Sequence, residues 1–279
     1  MGRNCNRKKS NPNAASSASV PARPADVNLA VAVELNYAEW LRLEGKLPWV
    51  QFHDDGDALR VFAGDTWPRN SVALARFTPE TASRRVGEIL APHLRSKVAC
   101  NWVVGPVSQP SDLGKHLRAR GFRCMIHCAG MACDLDKLGP SPASPDGVTI
   151  ELVDQLPSLY PMTTERRRLR HQGRGIMALV KPRQVWHFAP SLEGKPVGET
   201  ALCCCAGVAG IYDVEVMEAF RGRGIGTALV QAALRQARQL GHAADVLGAT
   251  GMGLGVYARL GFREVCKLSF WKYGKMRQL

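Results

Sequence analysis

Apolar residues Leu29, Val33, Tyr37 and Trp40 recur at the spacing of one buried helix face, so 29–40 predicts a helix packed beneath a sheet. Two short strand-like runs follow, 49–52 and 58–62. They flank Asp54-Asp55-Gly56-Asp57, whose residue types tolerate the conformations of a hairpin turn. Helices over 81–94 and 111–119 alternate with strands over 98–104 and 122–133. The stretch 139–147, Gly-Pro-Ser-Pro-Ala-Ser-Pro-Asp-Gly, holds proline and glycine too densely for a helix or a ladder strand to persist. This divides the chain into 27–139 and 148–279, joined by a linker over 140–147.

The second part opens with a strand over 148–153 and a helix over 156–170. Strands over 185–188, 199–205 and 208–217 come next, with Ala206-Gly207 as a tight turn between the last two. A helix after Gly224 presents Ile225, Ala228, Leu229, Ala232, Ala233, Ala237 and Leu240 on one face, and Gly241 can end it. Directly before it stands Arg221-Gly222-Arg223-Gly224-Ile225-Gly226-Thr227. Glycines in the turn and first helical residues let a ligand reach backbone N–H donors that have no intrahelical partner, where the helix dipole also favours negative charge. This is a seat for a pyrophosphate.

The loop is neither a P-loop nor a dinucleotide fingerprint. No Gly-Lys-Ser/Thr ends it, and G-x-G-x-x-G fails at Thr227 or at Leu229, depending on the starting glycine. The letters Arg-x-x-Gly-x-Gly occur a second time at Arg170, Gly173 and Gly175. There no strand precedes them and Pro182 follows, leaving little room for a helix, so context selects 221–226.

Strand, Arg-Gly-Arg-Gly-Ile-Gly-Thr, helix closely resembles the acetyl-CoA loop of the GNAT acetyltransferases. Tyr257-Ala258-Arg259-Leu260-Gly261-Phe262 resembles the family's Tyr-x-x-x-Gly-Phe element at a similar distance after the loop. The resemblance implies an α/β (α+β) fold of tandem GNAT-like domains, each a mixed, mostly antiparallel sheet flanked by helices. It also implies transfer of an acetyl group from acetyl-CoA to a primary amine by direct attack. In such a site the backbone of Val214, Glu215 and Val216 pairs with the pantetheine arm, and Arg221, Gly222, Arg223, Gly224, Ile225, Gly226 and Thr227 hold the pyrophosphate. Tyr257 protonates the departing thiolate. Asp213, Glu215, Glu199 and His187 are eligible by type as the base.

Leu117-Arg118-Ala119-Arg120-Gly121-Phe122-Arg123 reads like Tyr257 to Arg263, which suggests an internal repeat. At that offset Tyr257 falls on Leu117 and the glycine loop on 81–86, which contains no glycine. The first part thus resembles a degenerate GNAT domain, and Trp102-Val103-Val104-Gly105-Pro106 and Gly130-Met131-Ala132 resemble the N-terminal part of two-domain family members.

Composition refines this picture without redirecting it. A chain of 279 residues with 46% hydrophobic and 22% charged residues is globular in bulk. The net charge of +13 suits anionic ligands generally. Part of it lies in a basic, disordered-type tail over 1–26, whose lack of interleaved aromatics argues against nucleic acid as a partner. A non-catalytic basic adaptor, or a nucleic-acid-binding protein retaining the frame, is the competing reading. Nine cysteines, three of them adjacent, fit reduced thiols in a cytoplasmic setting better than a disulfide framework. No apolar stretch reaches the roughly 18 residues of a membrane span. The expected chemistry needs acetyl-CoA and an amine acceptor, small molecule or protein, and no metal. Arg166, Arg167, Arg168, Arg170, His171 and Arg174 form a basic run which, if it lines the acceptor pocket, favours an acceptor bearing an acid group.

Overall fold

The computed structural model describes residues 27–140, 144–159 and 163–274. The 1–26 tail and part of the 140–147 linker lie outside the described residues. Helix α1 (Leu29–Glu44) starts where the Asn28 side chain accepts a hydrogen bond from the Val31 N–H at 3.2 Å. Strands β1 (Gln51–Asp54) and β2 (Leu59–Phe62) form the expected hairpin, followed by the short β3 (Ser71–Ala73), α2 (Pro79–Ser96), β4 (Cys100–Val104), α3 (Leu113–Ala119) and β5 (Arg123–Asp134).

The second half runs β6 (Val148–Val153), α4 (Glu165–Leu179), β7 (Val185–Leu192), the two-residue β8 (Lys195–Pro196), β9 (Gly198–Cys205), β10 (Val208–Val216), α5 (Ile225–Gln239), β11 (Ala244–Ala249), α6 (Leu254–Arg259) and β12 (Arg263–Tyr273). Apart from β6 and β8, each half repeats helix, three strands, helix, strand, helix, strand.

Helix α4 corrects the sequence reading by about half its length. The predicted 156–170 gives way to Glu165–Leu179, capped by Thr164, whose side chain accepts from the Arg167 N–H at 3.2 Å. Gly173 and Gly175 therefore lie inside a helix, not beyond its end. Gly173 is there for space, because the Trp67 ring occupies the position a β-carbon would need.

All strands belong to one sheet, ordered β1-β2-β3-β4-β12-β5-β11-β10-β9-β7-β6, with β8 paired to β7. Only β3–β4 and β10–β11 are parallel among the described pairs, so the sheet is mostly antiparallel as expected. The two halves exchange their last strands. β12, from the C-terminal half, lies between β4 and β5, while β5, from the N-terminal half, pairs with β11 from Ala244↔Asp134 to Ala249↔Ala129. The sheet thus runs across the 140–147 junction.

Alternation along β9 separates two cores. Ala201, Cys203 and Cys205 pack with Trp40 of α1 and Met177 of α4, whereas Leu202 packs under α5 with Leu229, Ala233 and Leu234. Helix α1 closes the first face. Asn36, fully buried, donates to the Cys203 and Cys205 carbonyls at 3.3 and 3.0 Å and accepts from the Tyr212 hydroxyl at 2.7 Å, and Trp40 stacks on the Tyr212 ring at 4.4 Å.

On β11, Asp245 is wholly buried between Ala209 of β10 and Cys133 of β5, and neither carboxylate oxygen has a partner among the described residues. Burial pushes its pKa well above the usual carboxylate range. The native state therefore holds a proton that the unfolded chain releases above about pH 4, and the associated stability is lost as pH rises toward the folded-state pKa. Asp245→Val, similar in volume, is expected to gain about 1–3 kcal/mol near neutrality. Its melting temperature should exceed the parent's by a margin that widens as pH is raised above about 4. A margin independent of pH would contradict this.

Candidate functional site

Helix α5 begins without a side-chain cap. Gly224 occupies the N-cap with φ 79°, in the left-handed region that glycine enters freely, and Gly222 shares it at φ 76°. The Ala228 N–H reaches the Gly224 carbonyl at 3.1 Å, leaving the preceding N–H groups of the first turn aimed past the helix end. Ile225 is buried against Val148 and Val197 and anchors the turn, while Arg221, Gly222, Arg223 and Gly224 are exposed. Arg221 Nε donates to the Val216 carbonyl at 3.0 Å, tying the loop to the end of β10, and the Arg223 guanidinium lies over the Phe220 ring.

Strand β10 leads into this loop and parts from its parallel neighbour. It pairs with β11 at Ala209↔Asp245 and Gly210↔Val246 only. Beyond Gly210 its ladder continues on the β9 side alone, through a bulge between Tyr212 and Glu215 where Asp213 takes φ 51°. From Val214 to Val216 the β11 side of β10 thus has no strand partner among the described residues, although the Val216 carbonyl accepts from Arg221, and an extended ligand could add hydrogen bonds there as a strand would. The parting strands and the uncapped helix end meet at Val216.

Tyr257 sits on α6, its ring edge-on to Phe262 at 5.8 Å and packed against the core under α5. Burial, then the nearby Asp245 carboxylate, pushes its phenol pKa up, so it stays protonated at neutral pH. A second feature on the α5 side went unread in the sequence. A cavity of about 880 Å³ runs from Thr227 along Gln231, Arg235 and Arg238 to Arg259 and Arg263. Its cations, Lys137 among them, come from four separate segments, with the Asp134 carboxylate in the same lining, a convergence that local spacing does not reveal.

On the opposite face, α4 and β9–β10 enclose a cavity of about 350 Å³ lined by Arg166, Arg167, Arg170, His171, Glu199 and Glu215, among others. The two glutamates are cross-strand partners, and Arg170 Nη2 bridges them at 2.5 and 3.3 Å. Burial raises the Glu199 pKa, against the pull of Arg170 and Arg174. The other two candidate bases are differently engaged. His187 is fully buried, its Nε2 3.0 Å from the Arg174 carbonyl, and burial with the Arg174 charge takes its pKa down to about 4. Asp213 is ion-paired with Arg174, which is itself buried between the Trp40 and Trp67 rings at 4.9 and 5.5 Å.

The N-terminal half closes the corresponding places. Residues 81–86 lie within α2, so the helix start that matches Gly224 is Thr78, not the 81–86 segment given by the sequence offset. Thr78 and Thr81 form a reciprocal capping box, and Pro79 has no N–H to offer. Beyond the β3–β4 pairing, the Phe77 N–H donates to the Gln109 carbonyl at 3.1 Å and the Gln109 N–H to the Ala75 carbonyl at 2.7 Å, lacing that gap shut.

Residues 152–262 match the acetyltransferase (GNAT) family. An uncharacterized N-acetyltransferase of Methanocaldococcus jannaschii is 36% identical over 104 residues, a match covering 33% of this chain and 46% of that protein. The chain thus spans about half the length of this curated relative. Among solved structures, a GCN5-related N-acetyltransferase from Kribbella flavida superposes with TM-score 0.61 at 18% identity, over 88% of this chain and 97% of that one. A tandem GNAT protein from the clavulanic acid biosynthesis pathway superposes with TM-score 0.56 at 17% identity, over 92% and 99%. At these identities the likeness is one of fold. No helix among the described residues is long and apolar enough to cross a membrane.

Proposed function

We propose, from the match of residues 152–262 to the acetyltransferase (GNAT) family, that this chain transfers an acetyl group from acetyl-CoA to a primary amine at a single site in its C-terminal half. The observation that carries the reading is the meeting, at Val216, of a parted parallel strand pair with an uncapped glycine helix start. An extended arm fits the first and a pyrophosphate the second. The basic cavity from Thr227 to Arg263 suits the remaining anionic part of such a ligand. Bound acetyl-CoA supplies an activated acyl group as its thioester: the amine nitrogen bonds to the acetyl carbon as the carbon–sulfur bond breaks.

The chain's own groups handle the protons. Glu199, its pKa raised by burial, takes the proton that the ammonium must lose, with Glu215 beside it. Tyr257 donates its phenolic proton to the departing thiolate. The second proton, which the nitrogen sheds as it becomes an amide, restores the Tyr257 phenol, so that the one proton released overall leaves through Glu199. The β10 edge and the loop from Arg221 to Thr227 position the donor.

The test is release of free thiol from acetyl-CoA over a panel of amines, with Tyr257→Phe alongside. The variant should bind acetyl-CoA as the parent does and lose about 100-fold in kcat. Full turnover by Tyr257→Phe would remove its catalytic role. Acetyl-CoA binding without thiol release to any amine would favour a non-catalytic adaptor.

A further inference from the structure

The Tyr257 ring is placed by packing, since no hydrogen bond to its hydroxyl occurs among the described residues. On one side it meets Phe262 edge-on at 5.8 Å, and Phe262 is itself buried. On the other side is the backbone of its own helix. Tyr257 lies one turn after Gly253, its N–H reaching the Gly253 carbonyl at 3.0 Å, and long side chains on a helix lean back toward the N-terminus. The ring therefore lies over Gly253. A β-carbon at 253 would stand 2.5 Å from Tyr257 Cε2, 3.2 Å from Cδ2 and 3.4 Å from Cζ.

Nothing in the backbone asks for glycine here. Gly253 takes φ −85° and ψ −24°, in the right-handed helical region open to every L-residue. The neighbouring glycines make the contrast. A β-carbon at Gly251 would meet nothing within 4 Å, and one at Gly255 would meet Arg259 Nη1 at an ordinary 3.6 Å. What Gly253 supplies is room for the Tyr257 ring.

Resting on the acetyl-transfer reading above, we infer that Gly253 is a positioning residue, whose missing side chain seats the Tyr257 ring against the first turn of α6 and so aims its hydroxyl at the departing thiolate. The turn itself is tied, with the Gly253 N–H donating to the Thr250 carbonyl at 2.9 Å and the Tyr257 N–H to the Gly253 carbonyl, so under an added β-carbon the ring is what yields. Restoring ordinary contact moves the ring edge by about 1 Å, and a reacting group misplaced by that much loses on the order of 100-fold in rate.

The experiment follows thiol release from acetyl-CoA by the full chain, with glycine, glutamate, putrescine and tyramine as acceptors. Gly253→Ala is expected to lower kcat by about tenfold or more, while acetyl-CoA affinity and the acceptor KM stay within about twofold of the parent's. Gly253→Ser carries the same β-carbon but supplies a favoured helix N-cap, so it should lose as much, whereas a loss due to fraying of α6 would be recovered. Gly255→Ala, in the same helix, should match the parent. In a Tyr257→Phe background, where no phenolic proton remains to be aimed, Gly253→Ala should change kcat by less than about twofold. Undiminished kcat in Gly253→Ala, recovery in Gly253→Ser, or an equal loss in both backgrounds would overturn the inference and leave acetyl transfer standing. No thiol release by the parent with any of these acceptors would end the acetyl-transfer reading and the inference with it.

Discussion

Expressed apart, 27–139 and 148–279 are expected to yield no folded monomers, whereas co-expression of the two pieces should restore a soluble, cooperatively melting complex. The reason is the strand exchange. Removing the N-terminal half strips β5 from both β11 and β12, exposing the β11 edge from Ala244 to Ala249. It also removes Met131 and Cys133, buried in the core under α5, and α1, which caps the opposite face through Asn36. At about 1.5–3 kcal/mol per large side chain, the lost burial rivals the roughly 5–15 kcal/mol stability of a typical domain. An uncovered edge also invites association. Size-exclusion chromatography and thermal melting of each piece, alone and together, check this. A monomeric 148–279 that melts cooperatively and binds acetyl-CoA would show that the exchange is dispensable.

The second large effect concerns the helix start. Gly226→Glu should weaken acetyl-CoA binding at least 100-fold, about 2.7 kcal/mol, while leaving the fold intact. Unlike Gly224, Gly226 has no positive φ, and an added β-carbon would meet only Val216 Cγ2, at an ordinary 3.7 Å. A carboxylate in the first turn of α5 is itself favourable to the helix dipole by about 0.3–1 kcal/mol, yet it occupies the anion seat with the wrong charge. Gly224→Ala makes a poorer probe, since forcing φ 79° on a side chain costs about 1–2 kcal/mol and mixes a folding defect with a binding one.

The local elements around the candidate site were legible because each is a short-range pattern. The glycine loop, the amphipathic α5 and Tyr257 with Gly261-Phe262 are short-range patterns, and the structure keeps the order strand, loop, helix. What escaped was non-local. The sequence assigned no strand to β3, β11 or β12; β3 is three residues long, and β11 and β12 are defined by partners from the other half. Helix α4 runs through Gly173 and Gly175 to Leu179, where the nearness of Pro182 was read as leaving little room for a helix, and the Trp67 ring that demands Gly173 is far away in sequence. The Arg170 bridge between Glu199 and Glu215 and the basic cavity beside α5 likewise join distant elements. The repeat was visible, but its register was not. The N-terminal counterpart of the glycine seat is a threonine capping box, the N–H groups of which are already answered from within the chain.

Calorimetric titration of the full chain with acetyl-CoA, beside Gly226→Glu, tests the account most directly. One molecule bound per chain by the parent, and binding at least 100-fold weaker in the variant at a melting temperature no lower than the parent's, is the predicted result. No binding by the parent, two sites per chain, or undiminished affinity in Gly226→Glu would contradict a single acetyl-CoA seat at the start of α5.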